Sequence, residues 1–271
     1  MNRSRFFHWF KIAFLVYIAL GTAVYFLQDY MLFRPEPLTK NHSYDFSMPH
    51  REINIPVDDV SNLNIVQFTT KDTLAKGVVL YFHGNKKNIS WYAKYVGNFT
   101  GKGYEVWMID YPGFGKSTGK FTEQRLYDYA LLLYTLARKS YSADSIIIYG
   151  KSMGTGIASQ LASIRYSNRL ILETPYYSMH SLISHYLPVY PISRMIHYRL
   201  PTFEYLQKTL MPVTIFHGDE DGIIPYGNAK KLKEVLKSKD EFITIEGGGH
   251  NTLNDFPEYH HKLDSLLILP N

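Results

Sequence analysis

A chain of 271 residues with 45% apolar and 20% charged side chains has enough hydrophobic surface for one sizeable core, which excludes a disordered or low-complexity protein. Cysteine is absent, excluding a disulfide framework, a thiolate nucleophile and cysteine-ligated zinc or iron–sulfur chemistry. The formal net charge is +5, yet the lysines are scattered and no nucleic-acid-binding motif is present, so the excess reads as a solvated basic surface.

Residues 12–27, IAFLVYIALGTAVYFL, form an uninterrupted apolar run preceded by Arg3, Arg5 and Lys11. As a helix these 16 residues rise about 24 Å, short of the ~30 Å hydrocarbon core of a bilayer. Lys11 can snorkel, and Phe6, Phe7, Trp9 and Phe10 on one side with Tyr30 and Phe33 on the other can supply interfacial belts. The segment 1–33 is therefore expected to be a single-pass signal anchor, touching the membrane through 12–27. The positive charge ahead of the run places the N-terminus in the cytoplasm and the rest of the chain on the periplasmic or lumenal side. Two alternatives stand beside it: a signal peptide cut at the small residues Gly21-Thr22-Ala23, giving a secreted protein, and a buried helix.

Residues 34–50, with three prolines, read as a connector, and a catalytic domain is expected over 51–271. Short apolar runs ending in Gly or Asp then alternate with longer segments of helical periodicity. Strands are expected at 51–57 and 63–69, leading and antiparallel, then at 77–82, 104–110, 145–150, 170–173, 213–216 and 242–246. Helices are expected at 90–101, 122–139, 153–166, 229–237 and 256–267, the second with Leu126, Tyr129, Ala130 and Leu133 on one stripe. This order predicts an α/β fold with a mostly parallel central sheet of about eight strands and helices on both faces, whose site lies at the carboxyl ends of the strands.

The run SIIIYG leads into Gly150-Lys151-Ser152-Met153-Gly154 and then into the helical stretch TGIASQLASI. A G-x-S-x-G between a buried strand and a helix is the setting of a nucleophile elbow, in which glycines permit a sharp turn that lifts the serine hydroxyl above the sheet. A serine needs an adjacent base, itself oriented by a carboxylate. After the expected strand 213–216 comes His217-Gly218-Asp219-Glu220-Asp221, and after 242–246 comes Gly247-Gly248-Gly249-His250. Of the eleven histidines, His250 alone follows the acidic loop and occupies a strand-end turn. His260 and His261 fall on the last helix and read as solvent-facing. Asp219, Glu220 and Asp221 remain alternatives for the acid at this point.

The oxyanion formed on attack needs backbone donors. Met153 N–H, directly after the serine, supplies one, and Asn85 N–H, in His83-Gly84-Asn85 after the strand at 77–82, is expected to supply the other. His83 reads as a structural hydrogen-bonder beneath that loop. Gly-Lys-Ser at 115–117 and 150–152 lacks the earlier glycine of a phosphate loop, and no metal-binding motif is present, so no cofactor and no metal are expected. Lys86, Lys87, Lys116 and Lys151 fall in or beside the loops of the catalytic face, which suggests a preference for anionic substrates or headgroups.

Together HGN, DYPGFGKS, GKSMG, HGDEDGIIP and GGGH resemble the α/β-hydrolase superfamily, and look most like its membrane-anchored bud-emergence-protein-type branch. The resemblance covers nearly the whole chain, including the N-terminal span and QDYMLFRP. It implies that the fifth residue of H-G-x-x-D-x-x-x-P, here Asp221, is the catalytic acid, completing a triad with Ser152 and His250. The family implies a serine hydrolase acting on an ester or thioester of an acyl or lipid-like substrate, with a serine peptidase of the same fold or a catalytically silent, membrane-tethered binding module as alternatives. Residues 176–210, rich in Tyr, Leu, Ile and Met, stand where this fold often carries a cap, or else form one packing helix with a short excursion. Tyr111, Tyr176 and Tyr177 are the expected substrate-binding side chains.

Overall fold

A computed structural model describes residues 3–70 and 74–268. In chain order it contains α1 (Arg3–Leu32), β1 (Arg34–Pro35), β2 (His50–Pro56), β3 (Asn62–Phe68), β4 (Gly77–Phe82), β5 (Lys86–Lys87), α2 (Ile89–Tyr92), α3 (Gly97–Thr100), β6 (Tyr104–Ile109) and α4 (Glu123–Ala137). There follow β7 (Ile146–Lys151), α5 (Gly154–Ile164), β8 (Arg169–Glu173), α6 (Met179–Tyr186), α7 (Ile192–Met195), α8 (Thr202–Lys208), β9 (Val213–Gly218), α9 (Tyr226–Lys230), β10 (Glu241–Ile245) and α10 (Pro257–Leu266).

The main sheet has eight strands in the order β10-β9-β8-β7-β4-β6-β3-β2. The leading strands β2 and β3 run antiparallel, as their sequence position predicts, and the rest are parallel. The apolar runs of β4, β6, β7, β8 and β9 are buried on both faces, successive residues pointing to opposite sides. Val78, Leu80 and Phe82 enter one core with Ile146 and Ile148, while Val79 and Tyr81 enter the other with Ile147 and Tyr149. Helix α4 presents Leu126, Tyr129, Ala130 and Leu133 to the first core, and its N-terminus is capped by the Thr122 hydroxyl, which accepts from Arg125 N–H at 3.2 Å.

After β4 the chain goes to β6 on one side and then crosses to β7 on the other. The loops that follow β4 and β7 therefore diverge in direction at one point on the carboxyl edge and leave a crevice between them. Segment 90–101 is not one helix. It breaks into α2, a 3-10 turn over Ala93–Tyr95 and α3, with β-branched Val96 and Gly97, both weak helix formers, at the junction.

The connector 34–50 is bound down along its length. Its β1 pairs in parallel with β5 directly after Asn85, Pro37 bridges to Gly115, and the Tyr44 hydroxyl donates to Asn64 Oδ1 at 3.0 Å. The insert at 176–210 divides in two. Helix α8 packs on α5 as an ordinary crossover helix, while α6 and α7 form an excursion that meets α1. Helix α1 itself has 30 residues, about 45 Å, so it continues well beyond the apolar run at both ends.

Candidate active site

The elbow is built as its glycines require. Ser152 sits at φ +52, a left-handed conformation that L-residues avoid. A Cβ on Gly150 would lie 2.6 Å from the Gly154 carbonyl oxygen, and one on Gly154 would collide with the Phe82 carbonyl. The two glycines thus let β7 turn into α5 while α5 presses against the end of β4. Ser152 N–H donates to the Glu173 carbonyl at 2.9 Å, which ties the turn to β8.

The structure brings three of the expected side chains together from three separate loops. His250 Nε2 lies 2.9 Å from Ser152 Oγ, and His250 Nδ1 lies 2.8 Å from Asp221 Oδ2. All three are almost wholly shielded from solvent. Of the three acids in the loop, Asp221 alone faces the imidazole: Asp219 Oδ1 accepts from Gly247 N–H at 2.7 Å, and Glu220 is exposed. Asp221 Oδ1 accepts from Ile223 and Ile224 N–H, each at 2.8 Å. Burial pushes the Asp221 carboxyl up, but the hydrogen bond and charge of His250 and those two amides outweigh it, holding the group below its ordinary value of 3.8.

A second histidine flanks the same carboxylate. His217 Nε2 stands 3.6 Å from Asp221 Oδ2 with no hydrogen-bond partner among the described residues, while Nδ1 lies 2.8 Å from the Gly218 carbonyl. Burial lowers its proton affinity, so the ring is neutral with Nδ1–H as donor. Its place at the head of H-G-x-x-D, four residues before Asp221, is the one signal for this contact in the sequence.

Asn85 and Met153 both line the crevice beside Ser152, and among the described residues neither backbone N–H has a protein acceptor. Gly84 fits because a Cβ there would lie 2.6 Å from the Tyr92 hydroxyl and 3.5 Å from the Ser152 Cβ. His83 is fully buried, with Nε2 3.2 Å from Asp110 Oδ1 and Nδ1 2.8 Å from the Gly84 carbonyl, so it braces the loop from beneath. His260 is half-buried, its Nε2 2.7 Å from the Asn254 carbonyl, and His261 is exposed.

Two cavities meet at Ser152. One, of about 190 Å³, is lined by the aromatic rings of Trp91 and Tyr92 together with Lys87, His250 and Asn251. The other, of about 300 Å³, is apolar and runs between Met31 and Leu32 of α1 and Met179, Leu182 and Ile183 of α6. Tyr176 lines the apolar cavity with its hydroxyl turned inward, donating to the Met153 carbonyl at 3.1 Å.

The other two expected substrate-binding tyrosines lie elsewhere. Tyr111 is fully buried and its hydroxyl donates to the His83 carbonyl at 2.8 Å, because the chain after β6 tucks under the β4 loop. Tyr177 stacks on Phe203 with ring centroids 4.3 Å apart and carries Lys231 over its face, outside both cavities. The lysines are corrected as well. Lys116 is paired with Glu52 at 2.8 Å, Lys151 with buried Glu173, and Lys87 with Glu36 at 3.4 Å, leaving Lys86 as the one of the four without an acidic partner among the described residues. Glu173 was not singled out from the sequence. Beneath the elbow it bonds Lys151, the Tyr149 hydroxyl and, at 3.1 Å, the Tyr259 hydroxyl.

The architecture matches solved structures closely. The Pyrococcus furiosus esterase Pf2001 superposes with a TM-score of 0.67 at 18% identity, covering 87% of this chain and 97% of its own. A soluble variant of monoglyceride lipase from Saccharomyces cerevisiae superposes with a TM-score of 0.62 at 14% identity, covering 85% and 98%. By sequence, a family model described as serine aminopeptidase, S33, matches residues 73–205. Alpha/beta hydrolase domain-containing protein 17C of Xenopus tropicalis is 30% identical over 200 residues, 71% of this chain and 63% of the relative. Protein 17B of Homo sapiens is 29% identical over 198 residues, 71% and 67%. The family model, these relatives and the superposed structures together support the α/β-hydrolase superfamily for this chain. The chain spans 63% of the first relative's length.

Proposed function

We propose that this protein is a membrane-anchored serine hydrolase that cleaves an ester or thioester of an acyl, lipid-like substrate, with Ser152 as nucleophile, His250 as base and Asp221 as its orienting acid. The observation that carries the reading is the single imidazole bridging Ser152 Oγ at 2.9 Å and Asp221 Oδ2 at 2.8 Å. His250 Nε2 accepts the hydroxyl proton as Ser152 Oγ attacks the carbonyl carbon. Asp221 accepts from His250 Nδ1–H, which fixes the tautomer and stabilises the imidazolium. Asn85 and Met153 N–H donate to the oxyanion, each worth about 3 kcal/mol in such sites. His250 returns the proton to the leaving group, and water, deprotonated by the same imidazole, then releases the acyl group from Ser152. No step calls on a cofactor.

The two cavities support a division of labour. The group that departs must collect its proton from His250, so it belongs in the cavity that His250 lines, and the cavity between α1 and α6, which His250 does not line, is left for the acyl chain. The anchor is supported by α1, whose Trp9, Phe14, Leu15 and Phe26 are more than half exposed, more apolar surface than water tolerates.

Labelling of the wild type by a fluorophosphonate probe, abolished in Ser152→Ala, tests the mechanism; a wild type that ignores the probe sinks it. The family model's description favours a peptidase as second reading, and faster turnover of peptidyl amides than of acyl esters would select it. Retention of biological function by Ser152→Ala would select the binding module instead.

A further inference from the structure

The sites of contact between α1 and the insert lie far along the helix. Only Gly21, Val24 and Gln28 of α1 are buried, spaced along one face. Tyr190 stacks on Tyr17 with ring centroids 4.5 Å apart and donates from its hydroxyl to the Tyr17 carbonyl at 2.9 Å. The Tyr17 hydroxyl donates in turn to the Val189 carbonyl at 3.1 Å. A Cβ on Gly21 would stand 2.9 Å from the Tyr190 ring, so the glycine is what admits the aromatic. Farther along, Gln28 bonds the Met195 carbonyl and His197 N–H, and Tyr198 donates to Asp29.

Tyr17 lies inside the apolar run 12–27, about 8 Å along the helix from Ile12 and about 15 Å from Leu27. If that run occupies hydrocarbon, the loop at 187–190 that meets Tyr17 occupies it too. Its chemistry suits that depth. Residues 186–193 read YLPVYPIS, with no charged side chain, and Val189 is 69% exposed. Pro188 and Pro191 have no N–H to satisfy, while Leu187, Tyr190 and Ile192 N–H donate to Ile183, Leu187 and Tyr190 carbonyls. The apolar cavity opens between the same two elements, walled by Leu32 on one side and Leu182 and Tyr186 on the other, with Arg34 and Lys86 on its lining.

We infer that α1 and the 187–190 loop enter the bilayer together, and that the cavity between α1 and α6 leads the acyl chain of a bilayer-resident ester directly to Ser152. The second half rests on the serine-hydrolase reading; the first does not. Arg34 and Lys86 then stand where headgroup phosphates lie, and the substrate is an acyl lipid taken sideways from the membrane.

The cysteine-free chain allows a clean test on the full-length protein in phosphatidylcholine vesicles. A nitrobenzoxadiazole label on Val189→Cys is expected to be quenched by a nitroxide on the lipid acyl chain. The same label on Ser265→Cys, on α10 over the opposite core, stays in water. Equal exposure of the two labels overturns the bilayer contact. Leu32→Trp, which fills the cavity, is expected to lower kcat/KM for p-nitrophenyl laurate roughly ten-fold relative to p-nitrophenyl acetate, with fluorophosphonate labelling retained. Parallel changes on both esters, or none on either, overturn the acyl path. Leu182→Trp from the other wall repeats the measurement should Leu32→Trp lose labelling. A wild type quenched at residue 189 but unlabelled by fluorophosphonate would remove the catalytic reading and leave the membrane contact standing.

Discussion

The strand-end loops that carry Ser152, Asp221 and His250 are held largely through main-chain groups, whereas the face between α1 and the insert is held by long side chains reaching across it. At the elbow, glycine positions admit no Cβ and the turn is tied to β8 through a main-chain bond. Between α1 and the insert, one ring stack and several hydrogen bonds to long polar side chains do the joining. Backbone constraint fixes atoms to the tolerance that proton transfer needs; side-chain docking fixes only the relative placement of two bodies.

The comparison is broken most severely at the triad. Asp221→Asn is expected to lower kcat by about four orders of magnitude with little change in fold, since the imidazole loses its correct tautomer, and steady-state kinetics on a short acyl ester checks it. The same variant reads the carboxylate's part in stability. Because Asp221 ionises below its ordinary value of 3.8 in the folded protein, the stability it contributes is present above that value and is lost as pH falls through the lower folded one. The unfolding free-energy gap between wild type and Asp221→Asn should therefore close on acidification below about pH 4. A gap that widens in acid would contradict the assignment.

Gly154→Ala should cost upwards of about 4 kcal/mol in denaturant unfolding, as the methyl meets main chain that cannot yield. Glu173→Gln is expected to cost about 3–5 kcal/mol, because it strands the Lys151 ammonium in a buried site, and Lys151→Met in the same background should restore much of the loss. On the other side of the comparison, Tyr190→Ala should cost only about 1 kcal/mol of stability and leave turnover of a soluble acetate ester unchanged. A large drop in that turnover would show that the insert is as rigidly coupled to the site as the elbow is.

Legibility followed the same division. Most of the strands were readable because they are short apolar runs, rich in β-branched and aromatic residues and closed by a turn former, and the elbow because glycine spacing encodes a turn directly. His250 and Ser152 were legible from chain order; Asp221 needed the family motif to separate it from its neighbours. What escaped were contacts between residues distant in sequence. Lys116 finds Glu52, 64 positions away, and Lys151 finds Glu173, 22 positions away, so charges that read as a basic face are neutralised. Tyr111 was misjudged because a strand-end loop can tuck under its neighbour as readily as face the crevice. The docking of α1 on the insert also escaped, because Gln28 and Asp29, which look like the end of an apolar span, bond residues 167 and 169 positions away.

The positive φ of Ser152 carries a cost of about 1–2 kcal/mol that the folded chain bears continuously. Glycine at that position would relieve it, so Ser152→Gly should melt later than the wild type while turning over nothing. On the proposed mechanism stability and activity are opposed at this one residue, and a search for thermostable variants made without an activity screen would be drawn to discard the proposed nucleophile.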